Sequence, residues 1–128
     1  MSSRDYSRIL NLRKVVEKLR GHYDVIIIDA APGIGRETLA AIDAADTCLI
    51  ISTPFLPAVA DILRVKSVLR ELKEKRAKLI MNMVEGKNYE VNEKEVEYIT
   101  GLPIIARLPF DEKVIDSVAS GYLISRFH

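Results

Sequence analysis

Residues 23–39 read "YDVIIIDAAPGIGRETL", and the fold turns on the apolar run inside them. Val25 to Ile28 are four β-branched residues, too few for a helix and suited to a pleated strand. They end in an acid, Asp29. The turn Pro32-Gly33-Ile34-Gly35 then breaks the chain before an alanine-rich, helix-forming stretch. Three readings are open: the phosphate turn of a dinucleotide fold, the metal-side strand of a nucleotide hydrolase, or a buried strand followed by a loop.

The dinucleotide reading fails on two counts. Its fingerprint needs Gly-x-Gly-x-x-Gly directly after the strand. Gly33 and Gly35 stand in place, but Thr38 occupies the third position. The acid that would bind a ribose after the next strand is also missing, because "CLIIST" runs into Pro54. The hydrolase reading rests on Asp29. A carboxylate at the C-terminal end of a parallel strand lies in the crevice where open α/β sheets bind ligands. A hard cation such as Mg²⁺ takes oxygen ligands and keeps several waters, so one carboxylate can help to hold it. The plain strand-and-loop reading remains beside it.

Outward from this stretch the chain alternates helix and strand. Ile9, Leu12, Val16 and Leu19 lie on one face of a helix over 5–20 that ends near Gly21. "RETLAAIDAA" is helical, "TCLIIST" a second strand, and "AVADILRVKSVLRELKEKRA" a long helix with the stripe Ile62, Val65, Leu69 and Leu72. The charges of "KEKRAK" form its solvated end. "KLIMNMV" is a third strand, followed by a short helix capped by Asn92. "LPIIARL" is a fourth strand, with Pro103 where an edge strand tolerates it. There Arg107 falls opposite Ile104, Ala106 and Leu108. Asp111 caps a last helix through Val118, and Gly121 ends it. The expectation is one α/β domain over 1–128, with βα units from 24 to 121 and a mostly parallel four-stranded sheet with flanking helices.

Composition agrees with a globular chain. Of 128 residues, 48% are hydrophobic and 29% charged, enough for one core without low-complexity segments. The net charge of +1 gives no reason to expect nucleic acid as a direct partner. The single cysteine, Cys48, excludes an internal disulfide and fits a reducing, cytoplasmic setting. No apolar run reaches membrane-spanning length, and "MSSRDYSRIL" lacks the apolar core of a signal peptide. The histidines, His22 and His128, suggest no catalytic triad, and the five tyrosines are scattered in sequence rather than set as a stacking platform.

"YDVIIIDAAPGIGRETLAAIDAADTCLIISTPFLPAVADILRV", "LIMNMV", "GLPIIARLPFDEKV" and "ASGYLI" together resemble the MinD/ParA family of P-loop ATPases, MinD-type members in particular. The resemblance runs from Tyr23 to Ile124. It implies a partial P-loop NTPase fold of the SIMIBI type, with ATP and Mg²⁺ as cofactors. Asp29 is similar to the Walker B acid that holds Mg²⁺ through water. Ala30 to Gly35 resemble switch II, with Gly33 at the glycine that senses the γ-phosphate. Asn82 resembles the asparagine that reads the adenine edge, and an amide suits that edge because it donates and accepts at once. Pro109, Phe110 and Asp111 resemble the loop that closes over the base. No residue is assigned a catalytic role.

The family's phosphate cradle is not in this sequence. Nothing reads Gly-x-x-x-x-Gly-Lys-[Ser/Thr], and Gly86-Lys87 belongs to a loop. The resemblance is therefore to the C-terminal half of such an ATPase, and little hydrolysis is expected of the chain alone. The family's amphipathic membrane tail is not seen either. Phe55 stands where the family often has an acid, and "DAAPG" has its proline shifted by one place. Right-handed crossovers would put the connecting helices on one face of the sheet, leaving the helix over 5–20 for the other. The apolar burial missing on that face would be comparable to a domain's whole stability margin. A bare monomer is thus not expected. The partners implied are a second copy, the missing N-terminal half in trans, or a division or partitioning regulator. The alternative is a non-catalytic interaction module that binds a full-length ATPase or itself through the uncovered sheet.

Overall fold

The computed structural model describes residues 12–71 and 76–122. Five helices and three strands alternate along them: α1 Leu12–Leu19, α2 Arg36–Ala44, β1 Thr47–Ser52, α3 Leu56–Glu71, β2 Arg76–Val84, α4 Glu93–Thr100, β3 Ile104–Pro109 and α5 Glu112–Ser120. The strands form one parallel sheet in the order β1-β2-β3. The fold is α/β, as expected, but the sheet has three strands and not four.

The missing fourth is the opening apolar run. Val25 to Ile28 join no ladder. Val25 and Ile27 are 74% and 87% exposed, whereas Ile26 and Ile28 are half-buried. That two-residue alternation belongs to an extended chain. A strand, however, is a property of two chain segments, because its backbone N–H and C=O groups need a neighbour's. The sequence pattern makes the segment able to pair, and no partner strand lies beside it among the described residues.

The core sits between the sheet and two helices. Val59 and Ile62 of α3, Leu79 and Met81 of β2, and Val96 of α4 form its buried centre, with Ile50, Val84, Val91, Leu102 and Ile104 packed around it. Leu79 and Met81 alternate along the central strand and so share the covered face. Of the expected α3 stripe, Ile62 and Leu69 are buried and Val65 is half-buried, while Leu72 lies outside the described residues. The helix starts at Leu56, earlier than expected, since Pro57 in its first turn has no intrahelical N–H to lose. Arg76, Ala77 and Lys78 are strand and not the solvated end of that helix.

The helix ends follow their capping residues. Asn92 accepts from Lys94 N at 2.9 Å, and Asp111 from Lys113 N at 2.9 Å. Gly101 and Gly121 close α4 and α5 with φ of 63° and 71°. Of the helix expected over 5–20, residues 12–19 are helical and 5–11 lie outside the described residues. This helix lies against α2, where Arg13 Nε and Nη2 donate to the Asp43 carboxylate at 3.1 Å each. Arg20 grips Asp46 with one nitrogen at 2.7 and 2.9 Å.

Two register shifts interrupt the β2–β3 ladder. Between Leu79↔Ile104 and Ile80↔Ala106, β3 carries the extra residue Ile105. Between Met81↔Arg107 and Val84↔Pro109, Asn82 and Met83 face the single residue Leu108. The first shift corrects the expected alternation of the last strand. Ile104 and Arg107 come to lie opposite Leu79 and Met81, on one face, and the Arg107 guanidinium bonds Glu93 at the start of α4. The position of β3 at the sheet edge agrees with the sequence reading.

Candidate functional site

All three strands point the same way, so their C-terminal ends share one edge of the sheet. The segments that leave that edge are 53–55, 85–92 and 110–111. Open α/β sheets bind ligands outside such an edge. Asn82 lies near the end of β2, half-buried, in the bulge described above. Its Oδ1 accepts from the backbone N–H of the next residue, Met83, at 3.0 Å. Met83 is the one non-glycine with positive φ (59°) among the described residues.

Pro109 pairs with Val84 across the ladder, and Phe110 N donates to Val84 O at 3.0 Å. The backbone thereby ties the segment Pro109–Asp111 to the end of β2, two residues past Asn82. Phe110 keeps about a third of its surface exposed, and Asp111 is engaged as the cap of α5. The structure therefore brings four of the six singled-out residues to neighbouring strand ends.

Asp29 and Gly33 belong to a different segment. Both are exposed and lie in the segment that joins no ladder. Gly33 has φ of 87°, and a Cβ there would meet nothing within 4 Å, so the turn needs glycine for its backbone and not for space. Thr38 Oγ1 donates to Ala31 O at 2.9 Å and fastens the end of the turn to α2. Asp29 offers one hard oxygen ligand. That donor suits a Mg²⁺ ion otherwise held by water and phosphate, and it would not hold the ion alone. Among the described residues no group of three or more His, Cys, Asp or Glu gathers to bind a metal.

The loop after β2 has an order that the sequence did not reveal. The Glu90 carboxylate takes the backbone N–H groups of Glu85 at 2.7 Å and Gly86 at 3.0 Å. Val91 N donates to Pro54 O at 2.9 Å, linking this loop to the end of β1. Tyr89 stacks on Phe55 with ring centroids 6.0 Å apart, although the two are far apart in sequence. Partial loss of solvent, and then its hydrogen bond to Glu85, push the Tyr89 hydroxyl above its ordinary pKa. Only the cap of α5 and the strand-end amide had local signals. The bulge at Met83 and the Phe55–Tyr89 contact depend on which segments meet across the sheet edge.

No protein-family profile matches the chain. An uncharacterized ATP-binding protein of Methanocaldococcus jannaschii is 30% identical over 110 residues, covering 86% of this chain and 42% of that protein. The septum site-determining protein MinD of Thermotoga maritima is 30% identical over 121 residues, covering 90% and 45%. Among solved structures, the MinD cell division protein of Aquifex aeolicus superposes with a TM-score of 0.79 at 26% identity, covering 86% of this chain and 49% of that one. The curated relatives of this chain include several septum site-determining MinD proteins. The ParA family ATPase of Chlorobium tepidum shares the fold, with a TM-score of 0.78 at 21% identity over 98% of this chain and 54% of its own. So does MinD of Pyrococcus horikoshii, solved as a complex with Mg-ADP, with a TM-score of 0.77 at 20% identity over 91% and 48%. The chain spans about half the length of the curated MinD relatives it matches. No helix among the described residues is long and apolar enough to cross a membrane.

Proposed function

We propose that this chain forms the base-binding and metal-side half of a MinD-type ATPase, a cytoplasmic switch that places division sites or partitions DNA or cargo. Asn82 reads the adenine edge, Pro109, Phe110 and Asp111 close over the base, and Gly33 lets the turn after Asp29 shift with the terminal phosphate. Asp29 would hold Mg²⁺ through water, and that ion would neutralise charge on the phosphates. Phosphoryl transfer depends on positioning and charge stabilisation. The residues here supply base binding and one metal contact, so the chain by itself binds nucleotide weakly and turns it over little.

The observation that carries this reading is the backbone tie between Val84 and the Pro109–Phe110 segment, which sets the Asn82 bulge beside the loop after β3. A titration of the chain with Mg-ADP, followed by NMR, tests it. Amide shifts at Asn82, Phe110 and Asp111, lost in Asn82→Ala, are expected. Silence at all three positions up to millimolar nucleotide overturns the reading.

A second reading is favoured by a different observation. Leu49 and Ile51, on the outer face of β1, are 53% and 62% exposed. No strand pairs with the other edge of β1 among the described residues. In this reading the chain is an interaction module that docks a full-length ATPase or a second copy through that face. Ile51→Lys, read by light scattering across a concentration series, separates the two: it abolishes association in the module and leaves nucleotide shifts untouched.

A further inference from the structure

The backbone at Met83 is an outlier with a visible consequence. A left-handed conformation places Cβ against the neighbouring carbonyl, so an L-residue adopts it only when the surroundings enforce it. Here the β2 bulge enforces it, because two residues of β2 face one of β3. The Met83 N–H, which would otherwise serve the ladder, turns to the Asn82 side chain at 3.0 Å. A backbone N–H can only donate. The amide atom that faces it must therefore be Oδ1 and cannot be Nδ2.

We propose that Met83 is a positioning residue that fixes the orientation of the Asn82 amide and thereby makes the site select amino-purines over oxo-purines. The inference rests on the nucleotide reading above. With one lone pair of Oδ1 held by Met83, the second lone pair and the Nδ2 hydrogens remain for a ligand. Oδ1 then accepts from an exocyclic 6-amino group while Nδ2 donates to the adjacent ring nitrogen. A 6-oxo purine presents an acceptor to Oδ1 and a ring N–H to Nδ2, so both contacts clash in polarity. An amide free to turn by half a rotation would satisfy the oxo-purine equally well. The discrimination is thus set by the backbone and not by the choice of asparagine alone.

Two variants separate this from a merely structural role. Met83→Gly keeps the N–H and adopts positive φ without strain. Met83→Val places a β-branched residue where left-handed backbone is least tolerated, and so moves the N–H away. Mg-ADP and Mg-IDP differ at the purine 6-position, and their binding to the full chain is compared by NMR titration. One bidentate contact predicts a preference for ADP of about tenfold in the parent chain and in Met83→Gly. In Met83→Val the preference falls to about parity. The Asn82 side-chain amide signals of the free protein give a readout independent of ligand: ordered in the parent and in Met83→Gly, averaged in Met83→Val. If Met83→Val folds, binds ADP and keeps the preference, Met83 does not position the amide. If ADP and IDP bind the parent equally, the selectivity is overturned while the nucleotide site stands. If neither perturbs Asn82, the nucleotide reading itself fails and the selectivity with it.

Discussion

The two flanks of this sheet carry similar apolar side chains and treat them differently. On the flank of β2, α3 and α4, Leu79, Met81 and Val96 are completely buried. On the outer face of β1 and in the unpaired segment 25–28, Leu49, Ile51, Val25 and Ile27 all keep more than half of their surface in water. Residue type does not explain the difference, since both sets are aliphatic. Neighbours explain it. The first set has helices laid across it, whereas Leu49 and Ile51 face away from those helices and residues 25–28 join no ladder. Apolar sequence thus measures the capacity to be covered, and the fold decides where that capacity is used.

The sharpest way to break this contrast is a pair of truncations. Leu79→Ala removes a side chain with no exposure and should cost about 2–5 kcal/mol in urea-induced unfolding. Ile27→Ala removes one that is 87% exposed and should change stability by less than about 0.5 kcal/mol. Equal costs would mean that residues 25–28 are buried in solution, by another copy or another chain. The ratio of the two costs therefore reports whether the open flank is open in practice.

What the sequence made legible divides along the same line. The α/β class, β1 to β3 in chain order, the edge position of β3 and the caps Asn92 and Asp111 depend on local pattern, and all are found. The strand expected at Val25–Ile28 is not, because periodicity describes one segment and a ladder needs two. The alternation around Arg107 fails for a related reason, as the extra residue Ile105 resets the register. At the candidate site, Asn82, Pro109, Phe110 and Asp111 were readable from residue type and resemblance, and the structure sets them at adjoining strand ends. The hold of Met83 on the Asn82 amide was not readable, because methionine carries no signal for positive φ. The grouping of Asp29 and Gly33 with the other four remains part of the proposal, since the unpaired segment has no ladder to fix it to the sheet edge.

Glycine substitutions sharpen the comparison at smaller cost. Gly101 closes α4 on the packed flank with φ of 63°, and a Cβ there would come within 2.8 Å of Lys66 Nζ, which donates to Thr100 O. Gly101→Ala should therefore cost about the ~1–2 kcal/mol of left-handed strain, with little added as the flexible end of the lysine swings aside. Gly33 has a similar backbone but meets nothing. Gly33→Ala should cost no more than that same ~1–2 kcal/mol of strain, and less if the 31–35 turn relaxes locally without unfolding the sheet. Thermal unfolding of both variants checks the order. A larger loss at Gly33 would show that the turn is held by contacts absent from the free chain.

The smallest effects lie in the ion pairs, and they test how α1 is held. Arg13 and Asp43 join α1 to α2, and both side chains are about half exposed. Arg107 and Glu93 join β3 to α4 on the packed flank, where Glu93 is mostly covered. Exposed pairs contribute about 0.2–1 kcal/mol and are screened by salt, because the Debye length is only about 8 Å at physiological ionic strength. A double-mutant cycle with Arg13→Ala and Asp43→Ala should give coupling at the low end of that range, falling further in high salt. The same cycle at Arg107 and Glu93 should give the larger coupling and the weaker salt dependence, since a covered carboxylate is screened less. Inversion of that order would place the α1–α2 contact out of water. A contact so exposed in the free chain can leave water only under a covering partner, so the inversion would locate that partner beside α1 as well as β1.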